Sequence, residues 1–525
     1  MKKLNIVFSV GIFCFVFIAV IDAHPAYGTT RYIAQTAGAF SGGQACNGQT
    51  AITPATFNST TNSPGDVIYI CGTITAGTGA QLIAPAGNGS SGNPVTIKFD
   101  TGSILQAPYF AASGGAINLD GHSYWVIDGQ NTGTIQNTAN GTTLTYKQAT
   151  EAIEATNCNN CTVQNLTIAN LYNHTSTSDS TIDDTGVRCI SFSGSNWLIK
   201  NNTIHDVGWC LYENYSNGDT NIEIAGNTIY NVTHGWMLAS TTAGGGSGPF
   251  LFHDNNVYNY VNWDTPLNID QYHHDGIHCF TAAGGNAAHI NALSIYNNKF
   301  GPGSGVTVTA HIFLEGGSGG ATTPCADSTS NIQIFNNVFI ADSVIYNGSI
   351  GFFSGAGGVY NNTFECTAGL GGGAAFNDFG KNSGAVVFKN NAVTSCDTLM
   401  YVSKPFTADY NAYGNSTSNT FDCDGTFYTN SPLSSWQSCI SGDSHSFYSS
   451  SLGLDTTTGI PGSGSPVIGA GTNLSSLCTG NLAQLCSDKA GNPRSTSGAW
   501  TIGAYNSGGP QPSAAIGLTG TVVAK

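Results

Sequence analysis

The sequence predicts an all-β solenoid whose short strands stack in parallel, and three observations predict it. First, seven segments share one pattern: WLIKNNTI, IEIAGNTI, FLFHDNNVY, LSIYNNKF, IQIFNNVF, GGVYNNTF and VVFKNNAV. Each alternates apolar and polar residues over a few positions, as a strand does. Second, each carries one aligned asparagine: Asn202, Asn227, Asn256, Asn298, Asn337, Asn362 and Asn391. Their steps are 25, 29, 42, 39, 25 and 29 residues. Asparagine tolerates the left-handed backbone conformation at low cost, so it suits a tight corner between strands. One corner per 25 residues or so, with insertions, is the period of a coiled sheet. Coils stacked about 4.8 Å apart let the corner asparagines hydrogen-bond along the axis as a ladder. Third, the sequence has no long run of 3.6-residue apolar period, so a helical repeat is excluded. A sandwich would show hairpin signals instead of one recurring corner residue. The fold class is therefore a parallel β-helix.

The elements follow in chain order. Lys2 and Lys3 precede an apolar run from Leu4 to Ile21, then Asp22 and Ala23. This pattern predicts a secretory signal over residues 1–23. The run is also long enough to be an uncleaved anchor, the one way a membrane enters this reading. Either way the body of the chain faces outward. The β-helix is expected over 31–430. A disulfide-bearing C-terminal segment and tail, 431–525, is expected to pack on its end.

Beyond Cys14 the chain has fourteen cysteines, an even number that suits disulfides in an exported protein. Close spacing makes Cys46 with Cys71, Cys158 with Cys161, Cys423 with Cys439, and Cys478 with Cys486 plausible pairs. A zinc site at Cys158-x-x-Cys161 lacks a second pair at ligand spacing. The formal charge is −16, with 14 Lys+Arg against 30 Asp+Glu. That excludes broad nucleic-acid binding, which needs a basic footprint. It also works against long polyanions unless cations or a local basic patch intervene.

With its repeat established, the chain resembles the right-handed parallel β-helix superfamily of secreted bacterial proteins, the pectate lyase-like, polysaccharide-active group. PGDVIYICGTI (64–74) and GNPVTIKFDTGSIL (92–105) look like that family's entry coils, and YWVIDGQN (124–131) like an early rung. SPVIGAGTNL (465–474) and DKAGNPRSTSGAWTIGAY (488–505) look like its closing segment. The resemblance covers nearly the whole chain after residue 23 and implies the handedness. It is a poor guide to reaction.

A second column of similarity runs through DDTGVRCISF (183–192), HDVGWCLYE (205–213), VTHGWMLAS (232–240) and HHDGIHCFTA (273–282). Aligning Gly186, Gly208, Gly235 and Gly276 makes these equivalent strands on consecutive rungs. EAIEATN (151–157) fits with Ala152 in the glycine place. Alternation then turns Val187, Trp209, Trp236 and Ile277 inward and Arg188, Cys210, Met237 and His278 outward. The outer strip gathers Asp183, Asp184, Arg188, His205, Asp206, His234, His273, His274, Asp275 and His278, in a chain with only 8% charged residues.

Such a strip suits proton transfer on a glycan. Asp184, Asp206, Asp275 and His278 are the candidate acid, base or nucleophile groups, since close carboxylates titrate as a coupled pair. Arg188, His274, Tyr272 and His234 are candidate substrate-binding residues. No cofactor is required, although Asp183, Asp184 and Asp206 offer hard oxygen ligands for Ca²⁺. His311 and Glu315 lie further along as a distal subsite. Asp275 in HDGIH resembles the acidic position of the TDGI element of polygalacturonase-type hydrolases, but that family's GHG and RIK elements do not follow. Tyr272, Asp275 and His278 resemble, at different spacing, the Tyr/Asp/His set of β-helix alginate epimerases and lyases. The expected partner is an extracellular polysaccharide, cleaved by hydrolysis or elimination. A polyuronate epimerase-like enzyme and a non-catalytic glycan-binding adhesin are the alternatives.

Overall fold

A computed structural model describes residues 28–506, apart from 175–185, 215–217, 241–245, 261–272, 282–288, 304–307, 316–324, 327–328, 343–344, 352–354, 368–373, 379–384, 415–419 and 430–432. The N-terminal segment 1–23 therefore lies outside the described residues, as do Asp183, Asp184 and Tyr272.

The predicted right-handed parallel β-helix is the fold. One 33-stranded sheet winds through the described residues, its strands paired in parallel to their equivalents on the next coil except for one antiparallel hairpin at the C-terminal end. Alternation puts one apolar column per face inside. Ile168, Ile204, Ile229, Val257, Phe300, Phe339, Phe364 and Val393 stack in register, all fully buried. The phenyl rings of Phe300, Phe339 and Phe364 lie 5.3 and 4.8 Å apart, nearly parallel. Each such side chain removed from water contributes about 1.5–3 kcal/mol.

The asparagine ladder runs through the core beside this column. Asn202, Asn227, Asn255, Asn298, Asn337, Asn362 and Asn391 each donate from Nδ2 to the Oδ1 of the next, ending at Asn411, at 2.9–3.3 Å. One rung differs from the sequence expectation: the ladder takes Asn255, not Asn256. The reason is a division of labour inside the NN pair. The first residue adopts the left-handed conformation, with φ of 51–58° at Asn201, Asn297, Asn336, Asn361 and Asn390. The second points inward. In HDNN, Asp254 (φ 55°) takes the left-handed place, so Asn255 falls on the ladder and Asn256 pairs with Thr228 and Lys299.

All four disulfides expected from spacing are present, together with Cys279–Cys325 and Cys366–Cys396. Cys189 and Cys210 are buried and reduced, their Sγ atoms 3.2 Å apart.

The C-terminal part divides into two. An antiparallel hairpin, Thr420–Cys423 with Thr426–Thr429, and the short helix Ser434–Ile440 close the end of the solenoid. Trp436 stacks on Phe421 there, 4.7 Å between centroids. The rest does not cap the end, as the sequence reading expected, but returns along the side. An outward column of Tyr296, Phe335 and Tyr360 would otherwise face water, and Leu474, Leu485 and Trp500 cover it. The left-handed corner asparagines clasp this segment. Asn336 donates to the Ser487 carbonyl (2.8 Å) and accepts from Arg494 (2.9 Å), and Asn361 and Asn390 donate to the carbonyls of Thr501 and Thr472 (2.9 Å each). Lys489 reaches the carbonyl of Asn297.

Between solenoid and return segment, Glu365 lines a cavity of about 160 Å³ with Thr394, Ser395 and Ser450–Leu454. Burial pushes its carboxyl up to about 8, with Asp455 adding to the effect. A carboxyl raised in the folded state binds its proton more tightly there than in the unfolded chain. Its contribution to stability is therefore complete below the unfolded value of about 4.3. It is lost as pH rises through about 8. Denaturant unfolding at pH 5 and pH 8.5 should show the native protein losing more stability over this span than Glu365→Gln does. Equal losses would mean that Glu365 ionises freely.

Candidate functional site

The strands Thr150–Ala155, Val187–Phe192, Thr203–Asn214, Thr228–Ser240, Asp275–Thr281 and Ala310–Leu314 stack in that order. Each turns two successive residues into the core where plain alternation would turn one. These are Ala152-Ile153, Cys189-Ile190, Cys210-Leu211, Gly235-Trp236, Gly276-Ile277 and His311-Ile312, all buried. The first of the two has little room. A Cβ on Gly235 would lie 2.4 Å from the Gly276 carbonyl oxygen, and one on Gly276 would lie 2.6 Å from that of His311 and 2.8 Å from the Phe300 ring. Glycine at these two places is a packing requirement.

The double inward step bends the strand. The outward residues on either side of the bend, three apart in sequence, converge. They form successive pairs: Glu151 and Glu154, Arg188 and Ser191, Trp209 and Tyr212, His234 and Met237, Asp275 and His278, Ala310 and Phe313. Each member is in register with its equivalent on the next coil. Six rungs give a groove about 24 Å long.

Contacts run down it without a break. The Arg188 guanidinium lies 3.3 Å from Glu151, 3.9 Å over the Tyr212 ring and 5.8 Å from Trp209. Burial pushes the Glu151 carboxyl up to about 8, and Arg188 offsets only part of that. The neighbouring Glu154 is raised for the same reason. Trp209 meets His234 edge-on at 5.6 Å. At the deep end His234 Nε2 is 4.0 Å from Asp275 Oδ2, and His278 Nδ1 is 3.5 Å from the same oxygen. The other oxygen, Oδ1, accepts the Ala310 N–H at 2.9 Å. His278 Nε2 faces Glu315 Oε2 at 3.7 Å. Arg188 and Glu315 keep 24% and 20% side-chain exposure, whereas His234, Asp275 and His278 keep 5% or less. The groove thus has an accessible aromatic and charged stretch leading to an enclosed His/Asp/His cluster.

Of the residues singled out in the sequence, the structure brings together Arg188, His234, Asp275 and His278. His274 is buried beside them, its ring 5.9 Å from that of His234 and its N–H donated to Thr309 Oγ1. Asp206 stands apart from them. It occupies a second left-handed corner column (φ 56°) with Asn170, Asn231 and Asn259. Its carboxylate is engaged by His205 Nδ1 at 2.6 Å and Asn231 Nδ2 at 3.3 Å. A calcium site built from Asp183, Asp184 and Asp206 would rest on two residues outside the described set and on this corner residue.

The glycine frame holds at only one junction, Gly235 with Gly276. The true register sets Arg188 against Trp209, and Trp209 against His234. Trp209 is therefore not inward but half-buried in the groove, and Cys210 is not outward but beside Cys189 in the core. Alternation fails here because two successive residues face inward. Trp125, Trp197 and Trp236 are fully buried core residues. Glu151, Glu154, Tyr212 and Phe313 were missed as groove residues. The signal that finds them is a four-residue word repeated on every rung: EAIE, RCIS, WCLY, HGWM, DGIH, AHIF.

No protein-family model and no curated protein matches the chain. Among solved structures it is similar to the pectate lyase Pel9A, at 13% identity and TM-score 0.40, over 92% of this chain and 97% of that one. It is also similar to the GH136 lacto-N-biosidase from Eubacterium ramulus, at 11% identity and TM-score 0.37, over 75% of this chain and 65% of that one. A third is a PL6 family polysaccharide lyase from Pseudopedobacter saltans, at 14% identity and TM-score 0.27, over 75% of this chain and 89% of that one. Likenesses at this level transfer no residue roles.

Proposed function

We propose that the protein is an exported carbohydrate-active enzyme that cleaves a polysaccharide lying along this groove. The observation that carries the reading is the juxtaposition of an accessible Trp209/Tyr212/Arg188 stretch with the enclosed Asp275–His278–Glu315 relay. Aromatic faces and a guanidinium suit sugar rings and hydroxyls. A histidine between two carboxylates suits proton transfer in either direction near neutral pH. Asp275 is oriented by the Ala310 N–H, so its other oxygen, Oδ2, is held toward both imidazoles. In this reading His278 exchanges a proton with the glycosidic oxygen or its attacking partner, and Asp275 and Glu315 set its orientation and charge.

The groove's charge favours a neutral or sparsely charged glycan. Asp275 and Glu315 are acidic at the deep end, Glu151 and Glu154 are raised toward their neutral form by burial, and Arg188 is the single Lys or Arg among the paired groove residues. A polyuronate chain would meet one cation for all its carboxylates, with Asp275 and Glu315 at the reacting end, which counts against the epimerase-like alternative. The test is a panel of neutral and uronate polysaccharides, assayed for new reducing ends and for the ultraviolet absorbance of unsaturated products. New reducing ends from a neutral glycan, without that absorbance, are the expected result. Absorbance would replace hydrolysis by elimination. If the whole panel stays intact while the protein still co-sediments with a glycan, the enzyme reading fails and the binding solenoid takes its place.

A further inference from the structure

We propose that His234, Asp275 and His278 form a binding site for a divalent transition-metal ion of the zinc type. The inference rests on the geometry of these side chains and does not depend on the glycan reading.

One donor atom from each of the three side chains can be chosen so that all lie within 4.8 Å of one another. The separations through Asp275 Oδ2 are 4.0 Å to His234 Nε2 and 3.5 Å to His278 Nδ1. Donors about 2.0–2.1 Å from a tetrahedral zinc ion lie about 3.3–3.4 Å apart. Against that spacing His278 is already in place relative to Asp275 and His234 is about 0.6 Å too far, while the two imidazole nitrogens, within 4.8 Å of each other, would close by at most about 1.4 Å, a side-chain rotation and not a backbone move. Two imidazoles and one carboxylate suit zinc and its first-row neighbours, not calcium or magnesium, which take oxygen ligands.

The atoms on the far side of each ligand make the stronger argument. A metal-bound histidine characteristically gives its other ring nitrogen to a carboxylate or hydroxyl, which fixes the ring. His278 turns Nδ1 toward Asp275 and Nε2 toward Glu315, 3.7 Å away. His234 turns Nε2 toward Asp275 and Nδ1 toward Thr233 Oγ1, at 3.3 Å. Asp275 turns Oδ2 inward while Oδ1 is held by the Ala310 N–H. Asp275 and His234 are thus hydrogen-bonded from behind and His278 faces a carboxylate 3.7 Å away, and the two imidazole planes lie within 19° of each other. The backbone places them well: His234 and Asp275 are register partners on adjacent coils, and His278 stands across the bend from Asp275. Other histidine–carboxylate pairs, such as His253 with Glu223 and Asp254, lie on the surface.

The experiment is zinc uptake by the full chain without glycan. Chelator-stripped protein is titrated with ZnCl₂ by calorimetry and, in parallel, with CoCl₂ by visible absorption. One equivalent is expected, together with the intense d–d bands of a low-coordinate Co²⁺ site. Calcium should not compete. His234→Ala and Asp275→Asn should abolish uptake, with circular dichroism confirming the fold. Glu315→Gln, which removes no ligand, should weaken uptake roughly 10- to 100-fold. His253→Ala should leave it unchanged. No uptake by the native protein, or uptake lost with His253 and kept without His234, would overturn the proposal.

An ion here would occupy the atoms that carry protons in the glycan reading. Zinc is therefore expected to inhibit turnover reversibly. Binding without inhibition would sink that proton-transfer assignment and leave the metal site standing.

Discussion

Asp275→Asn should lower kcat on a glycan substrate by about 10²- to 10⁴-fold, with KM little changed. That is the range for disabling a positioned proton-transfer group, here His278, by removing the carboxylate that orients it. The substitution is nearly isosteric, and the amide can keep an oxygen for the Ala310 N–H. What it removes is the negative charge that Oδ2 presents to His234 and His278, 4.0 and 3.5 Å away. Asp206→Asn is the matched control. Asp206 belongs to the corner column and is engaged by His205 and Asn231, so its turnover should stay near that of the native protein. Steady-state kinetics on both variants, with their unfolding curves, separates the roles. Equal losses in the two, or a loss confined to Asp206→Asn, would move the reacting centre out of the groove.

The largest effect on stability is expected at Asn337. Its Nδ2 donates to the carbonyl of Ile295 (2.9 Å) and to Asn362 Oδ1 (3.0 Å), and its Oδ1 accepts from both the N–H and the Nδ2 of Asn298 (2.9 and 3.0 Å). All of these groups are buried. Asn337→Ala strands polar atoms on both neighbouring rungs, and each stranded group costs about 1–3 kcal/mol. A loss of about 3–5 kcal/mol is expected, near the top of what single substitutions do. Asn256→Ala, one position off the ladder, should cost about 1 kcal/mol or less. Urea unfolding measures both, and similar midpoints for the two would contradict the ladder.

The contrast between Asn337 and Asn256 also shows where sequence reading reached its limit. The solenoid was legible because its signal repeats: seven strands with one corner residue survive any single misalignment. The ladder member on the third of those rungs was not, because HDNN offers two asparagines and only the backbone conformation at Asp254 chooses between them. The groove was partly legible. Scarce histidines and acids in DGIH pointed to its deep end, and Arg188 and His234 were found with it. Its other half was hidden by the assumption of strict alternation. Two successive inward residues break that rule, so the glycine frame slipped at Gly208 and turned Trp209 the wrong way. Glu151 and Glu154 were passed over for the same reason. The disulfides Cys279–Cys325 and Cys366–Cys396 join cysteines 46 and 30 residues apart, so no close spacing marked them.

The return segment clasped by Asn336, Asn361 and Asn390 changes how the molecule comes apart. A solenoid joined only through nearest neighbours can fray from its end, one coil at a time. Here bonds spanning 82 to 158 residues tie three successive coils to a single strap. Those coils cannot be lost singly while the strap stays in place, and its release frees them together. Native-state hydrogen exchange should therefore report one shared opening event for this stretch, and a lesion in the strap, at Arg494 for example, should be felt over the length of three coils at once.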